Sequence, residues 1–267
     1  MRSPSQLLVF LVAALLVVIA SPACTVTVAR DLGPVQPLTP GRLAAVDWSA
    51  AGKEAVSWLS AYLQVDTTNP PGNETRGAEF LKAILDKEGI ASEIIEFAPG
   101  RGSLVAHLPG AGPEKPLCLM SHIDVVTAEV ARWTPGRGPL SGVIADGFVW
   151  GRGALDMKGQ GILELAAMVQ LKRQKIALKR EIVLLAVADE EVDNSGTRFL
   201  IEKHWDRIGC SHLLNEGGIG IRDVVYPGQT VFGVSVAEKG LLWLKMTARG
   251  KAGHTGRRGR PTGESVR

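Results

Sequence analysis

Between residues 47 and 63 the apolar residues Val56, Leu59 and Leu63 recur at helical spacing, which predicts an amphipathic helix. Asn69-Pro70-Pro71-Gly72-Asn73 breaks the pattern, because the prolines lack a main-chain donor and glycine favours a turn. A second helix follows, with Phe80, Leu81, Ile84 and Leu85 on one face and Gly89 just past its end. Short strands are predicted at 92–97, 103–108 and 117–120. Residues 133–153 are rich in glycine and aromatic residues and read as a long loop or hairpin. Ile162, Leu165, Ala166 and Val169 keep register in a helix over 158–172. Residues 182–188 form an unbroken apolar run, the pattern of a strand buried on both faces of a parallel sheet. A helix near 197–203 and a short strand at 212–214 complete the series.

Strands alternating with helices predict an α/β domain with a mainly parallel sheet over residues 47–238. Near residue 231 the pattern changes. Residues 231–236 and 241–248 are strand-like with no helix between them, which places the opening of a second domain at 239. Its stretch of about 30 residues, 239–267, is too short to bury a core of its own.

The first 23 residues have a different pattern. Arg2 precedes an apolar run over 7–20, and Ser21-Pro22-Ala23 puts small residues at the −3 and −1 positions of a cut before Cys24. This is the form of an export signal. The run is short for a membrane span, and an uncleaved anchor is the other reading. Cys24 after the cut suits a lipid anchor, or an ordinary mature N-terminus. Residues 24–46 are proline-containing and poorly patterned, as in a linker.

Composition narrows the class. The 267 residues are 45% hydrophobic and 21% charged, enough for a sizeable core and wrong for a disordered chain. A net charge of +3 gives no basis for a nucleic-acid partner. Three cysteines are too few for a disulfide scaffold. Cys118, inside an apolar strand, reads as a plain core thiol, and Cys210 has no nearby partner in sequence.

Three predicted strands end in groups that can bind metal. The first runs into Ser121-His122-Ile123-Asp124, the second into Asp189-Glu190-Glu191, the third into Asn215-Glu216-Gly217-Gly218. In an open parallel sheet these ends share one edge, where ligands bind. Asp156, just before the helix at 158, adds another carboxylate. Taken singly, His122 reads equally as a core histidine, Asp124 as a turn cap, Asp156 as a helix cap, and the glutamates as solvated loop charge. Together they crowd one rim with negative charge, which is costly unless a cation compensates it. A divalent metal pair does so, and an imidazole–carboxylate set suits zinc.

These residues carry a family resemblance. Ser121-His122-Ile123-Asp124-Val125-Val126, the run Trp150 to Gly159 (WGRGALDMKG), Asp189-Glu190-Glu191, Asn215-Glu216-Gly217-Gly218 and Gly250-Lys251-Ala252-Gly253-His254 occur in one order. Over roughly residues 47–267 the chain resembles the M20 family of dizinc metallopeptidases and amidohydrolases. That family includes glutamate carboxypeptidases, acetylornithine deacetylase and succinyl-diaminopimelate desuccinylase. The resemblance implies a zinc-hydrolase catalytic domain with an inserted α+β lid that begins at 239. It implies two zinc ions, with His122, Asp156, Glu191 and Glu216 as ligands and Asp156 bridging. Asp124 would orient the His122 imidazole, Glu190 would be the general base, and His254 would steady the scissile carbonyl. The family's second zinc needs a further histidine, and no residue here matches it: His204 and His212 lie outside the ligand motifs. The resemblance further implies a small peptide or N-acyl amino acid substrate and a homodimer in the complete form. Two readings stay open: an exported amide hydrolase, or an inactive fragment or pseudoenzyme serving as a metal-binding module.

Overall fold

Asp47 starts the first helix, its carboxylate accepting the amide of Ala50 at 3.0 Å. In the computed structural model, which describes residues 46–217, 220–224, 227–232 and 247, this is α1, Trp48–Leu63. Its buried stripe is Ala55, Tyr62 and Leu63, whereas Val56 lies on the solvent side. The prolines at 70 and 71 fall between α1 and α2, Glu74–Lys87, as the sequence predicts. Then come β1 (Ala91–Ala98), β2 (Arg101–Leu108) and β3 (Glu114–His122). The segment 133–153 contains a small hairpin, β4 (Ile144–Ala145) with β5 (Phe148–Val149). Next are α3 (Lys158–Arg173), β6 (Arg180–Val187), α4 (Ser195–Ile208) and β7 (His212–Leu214). The hairpin of β8 (Gly220–Arg222) and β9 (Thr230–Phe232) ends the described elements.

Five strands form one sheet in the order β1-β2-β6-β3-β7. β2 is antiparallel to both neighbours, while β3 is parallel to β6 and to β7. Four of the five strands therefore run the same way, in agreement with the predicted α/β class. The proposed boundaries at 23 and 46 and the lid from 239 fall on or border residues outside the described ones. No helix among the described residues is long and apolar enough to cross a membrane.

The sheet is buried on both faces, which explains the unbroken apolar run of β6. Ile182, Leu184 and Ala186 face α1, α2 and α3 together with Leu104, Leu119 and Leu165. Val183, Leu185 and Val187 face α4 together with Val105, Leu200 and Ile208. Each fully buried Leu or Val contributes on the order of 2 kcal/mol. α3 presses on β3 just before His122. A Cβ at Gly161 would stand 2.8 Å from the Ser121 hydroxyl, so only glycine allows this approach.

The cysteines depart from the sequence reading. Cys118 is no plain thiol: it is bonded to Cys210, with the two Cα atoms 5.8 Å apart. Their separation of 92 positions hid the pair. Only the parallel alignment of β7 beside β3 brings them together.

One carboxylate in α3 is at odds with its surroundings. Glu164 takes one hydrogen bond, from the Gln160 amide at 2.9 Å, and its other oxygen is buried without a partner. Burial raises its pKa to about 7, against the small opposing effect of Gln160. The folded state thus binds this proton more tightly than the unfolded chain does. Stability from this position is present below about pH 4.3 and is lost as the pH rises toward 7. Glu164→Gln is expected to be near neutral at pH 4 and to stabilise by roughly 1–2 kcal/mol at pH 8, after allowance for solvent screening. Urea unfolding at the two pH values measures the difference. Equal effects at both would refute the assignment.

Candidate metal centre

The sheet register decides which residues meet. His122 lies opposite Val187, so Asp124 and the Asp189-Glu190-Glu191 turn leave their strands level with one another. Leu119 lies opposite Leu214, so Glu216, two residues beyond β7, is level with Ser121. The segment over 67–69 locks the turn after β3. Thr67 donates its hydroxyl to the Ile123 carbonyl at 2.8 Å, and the Asn69 amide donates to the Val125 carbonyl at 2.9 Å.

His122 is buried at the base of the site, with its side chain 1% exposed. Its Nε2 is 3.0 Å from an Asp156 oxygen and 3.9 Å from a Glu216 oxygen. These three residues place one ligand atom each within 4.8 Å of one another. Asp156 approaches from the loop before α3 and stays largely open to solvent. That loop fits closely against the turn after β3. Gly153 has φ +86, and a Cβ there would stand 2.6 Å from Val125 Cγ1.

The other imidazole nitrogen, Nδ1, is 2.9 Å from the main-chain carbonyl of Asp124, and the Asp124 carboxylate is 3.6 Å away. That carboxylate accepts from Asn69 Nδ2 at 2.8 Å and from the amides of Glu190 and Glu191 at 3.0 Å each. Burial alone would raise the Asp124 pKa, but His122, Asn69 and the Glu191 amide outweigh it and hold the group below the ordinary carboxylate range. Burial likewise opposes charge on His122. The surrounding Asp124, Asp156 and Glu216 overcome it and raise the imidazolium pKa to about 9. The set therefore stabilises positive charge at the imidazole, where a divalent cation would take the proton's place.

Glu190 and Glu191 flank this group, half-buried. Burial raises both pKa values; His122 opposes, and the neighbouring carboxylates add to the rise. The structure thus gathers His122, Asp124, Asp156, Glu190, Glu191 and Glu216 at one sheet edge. His254 lies outside the described residues.

Sequence reasoning passed over a supporting network. Asp189 turns the chain at the end of β6 with φ 66, a left-handed conformation that aspartate tolerates better than most residues. Asn69 Nδ2 also donates to Asp189 at 2.9 Å. Arg101 Nη2 donates to Asp189 at 2.6 Å, and the same guanidinium grips the buried Glu74 at 2.6 and 2.8 Å. Lys158 is fully buried and donates to the carbonyls of Tyr62 and Val65 at 3.2 and 2.8 Å. It fastens the start of α3, and with it the Asp156 loop, to the end of α1. Burial lowers its pKa to about 7, with Asp66 opposing. Asn69 stood out in the sequence only as a pattern breaker, Asp189 only as the first residue of a strand-end acidic motif, and nothing local marked Glu74 or Arg101.

An imidazole and acidic side chains converging on the C-terminal edge of a mainly parallel sheet define the class as an α/β protein with a rim whose donor set suits a metal ion. Residues 118–242 match the model of peptidase family M20/M25/M40. The chain is 32% identical over 204 residues to a probable succinyl-diaminopimelate desuccinylase of Staphylococcus aureus (strain MRSA252), covering 76% of this chain and 46% of the relative. It is 30% identical over 207 residues to aminoacylase-1 of Sus scrofa, covering 76% and 49%. Among solved structures, the M20 family metallo-carboxypeptidase Sso-CP2 of Sulfolobus solfataricus superposes with a TM-score of 0.54 at 22% identity, over 65% of this chain and 38% of that one. The di-peptidase Dug1p of Saccharomyces cerevisiae gives 0.54 at 17% identity, over 65% and 40%. The chain matches the M20 peptidases over residues 118–242, and the resemblance drawn from its motifs is borne out. It spans about half the length of the curated relatives it matches.

Proposed function

We propose that this chain performs zinc-dependent hydrolysis of peptide or N-acyl amino acid amide bonds, in the manner of a carboxypeptidase or aminoacylase. One observation carries the reading: His122, Asp156 and Glu216 converge within 4.8 Å beside Glu190, a carboxylate whose pKa is raised. Imidazole plus carboxylates is a donor set suited to zinc. His122, Asp156 and Glu216 would hold one ion, and Glu191 would belong to a second. When bound, the metal supplies Lewis-acid polarisation of the carbonyl and a water that ionises near neutral pH. Glu190 accepts the proton of the attacking water and delivers it to the departing amine nitrogen. Its raised pKa brings it nearer the working pH for both transfers. Asp124 holds the His122 ring through its carbonyl and the Glu190–Glu191 amides through its carboxylate. His254 steadies the developing negative charge on the carbonyl oxygen.

The leader pattern supports export, and so does the Cys118–Cys210 bond, because disulfides persist in oxidising compartments. Cys24 as a lipid anchor and a homodimeric complete form belong to the same reading.

The test is zinc content per chain, measured alongside hydrolysis of a panel of N-acyl amino acids and dipeptides. Glu190→Gln is expected to retain zinc and to lose on the order of 10²–10⁴-fold in rate. Zinc binding without hydrolysis would favour the metal-binding module. A folded protein that takes up no zinc would overturn the reading.

A further inference from the structure

The Cys118–Cys210 bond takes no part in the chemistry above, yet it joins the two strands that present His122 and Glu216. β7 has three residues, all exposed, and pairs only with Leu117, Cys118 and Leu119 of β3. Among the described residues no strand flanks its other side. So short an edge strand has little hold of its own, and edge segments are the first to open. Cys210 lies two residues before β7, and Glu216 lies two residues after it. The disulfide therefore sits at the root of the limb that carries Glu216.

The other site residues do not depend on this limb. His122, Asp124, Asp156, Glu190 and Glu191 all lie between the two cysteines in sequence. They are carried by β3, by β6 or by the loop that Lys158 fastens, and each of these is anchored in buried structure. The anchoring around β7 is thin by comparison. Beyond the three pairs with β3, the Ser211 amide donates to the Pro116 carbonyl at 3.0 Å, the Ser211 hydroxyl lies 3.4 Å from the Lys115 and Pro116 carbonyls, the exposed Arg180 Nη1 lies 3.1 Å from His212 Nδ1, and Cys118 itself is fully buried.

We propose that the Cys118–Cys210 disulfide is a positioning device for Glu216, setting β7 against β3 so that the Glu216 carboxylate reaches the His122–Asp156 pair. Its loss releases the Glu216 limb and leaves the rest of the site in place. The inference rests on the metal-site reading for its chemical purpose, but the tethering of β7 is a property of the chain alone.

The test uses purified protein and a double-mutant cycle: wild type, Cys118→Ala/Cys210→Ala, Glu216→Ala, and all three changes combined. Variants are preferred to reductants because thiols bind zinc. Two quantities are read: zinc affinity by competition with a chromophoric chelator, and amide hydrogen exchange of the metal-free protein. The cysteine variant is expected to bind zinc 10–100-fold more weakly, the range for residues that orient ligands. In the Glu216→Ala background the same change is expected to cost little more, because the limb no longer carries a ligand. Exchange is expected to accelerate at Leu213 and Leu214, with β6 and the first half of β3 unchanged.

Additive zinc losses would mean that the bridge acts through general stability, and would overturn the proposal. Unchanged exchange at Leu213 and Leu214 would overturn it as well. If wild type takes up no zinc, the metal reading fails, and the exchange data alone decide whether the bridge tethers the limb. Should the double alanine variant not fold, Cys210→Ser keeps the buried Cys118 side chain and answers the same question.

Discussion

Arg101→Met is expected to lower the unfolding free energy by about 3–5 kcal/mol at pH 7, the range for removing one partner from a buried ion pair. The arginine lies between two buried carboxylates whose other partners, the Asp189 amide for Glu74 and Asn69 with the Ser195 amide for Asp189, carry no charge. The Glu74 side chain is 0% exposed and that of Asp189 is 6% exposed. Methionine matches the length of the aliphatic stem but leaves both acids facing an apolar chain. The loss is a large share of the net stability of a domain this size, roughly 5–15 kcal/mol. It also reaches the site, because Asp189 turns the chain that presents Glu190 and Glu191.

The acid side of the stability curve gives a second readout. Burial raises the Asp189 pKa, but Asn69 and Arg101 more than offset it and hold it below the ordinary range. A depressed pKa contributes stability that is present above the unfolded value, near 3.9, and is lost as the pH falls below it. Arg101→Met should therefore flatten the acid limb as well as lower the plateau. Urea unfolding at pH 7 and across pH 2–5 measures both. A loss under about 1 kcal/mol would show that Glu74 and Asp189 find other partners.

His122→Ala is expected to abolish tight zinc binding. Sites with four protein ligands reach roughly 10–16 kcal/mol, so one ligand is worth on the order of 3 kcal/mol, a hundred-fold or more in affinity. Removal of the buried ring also leaves Asp156 and Glu216 facing each other without the group that compensates them. Glu216→Ala is expected to weaken the same ion. Glu191→Ala is expected to leave that ion in place, since Glu191 is not one of the three residues whose ligand atoms lie within 4.8 Å of one another. Equilibrium zinc titration of the three variants separates these roles. Equal losses for Glu191→Ala and His122→Ala would make Glu191 a ligand of the same ion and overturn the division.

Much of the site was legible because α/β topology converts sequence order into position. A strand that ends in Ser121-His122-Ile123-Asp124 and another that ends in Asp189-Glu190-Glu191 must deliver those residues to one edge if the strands are parallel. β6 announced that arrangement by its unbroken apolar run, and glycine, proline and helical periodicity marked the elements between. The first helix shows the limit of periodicity. Val56 kept the spacing of a buried position, yet Ala55 and Tyr62 form the buried stripe, because which side of the stripe is covered depends on where α3 lies.

Sequence order by itself determined the α/β class, the approximate elements and the six acidic and histidine positions at the rim, since each follows from local periodicity or from the strand end it occupies. Tertiary structure alone decided the disulfide, the grip of Arg101 on Glu74 and Asp189, the pairing of Asn69 with two carboxylates, and the burial of Lys158. These contacts join residues 27 to 120 positions apart, and no local pattern encodes the partner of a buried charge or thiol. The register of β3 against β6 and β7 fixes those partners, and that register exists only once both faces of the sheet are packed.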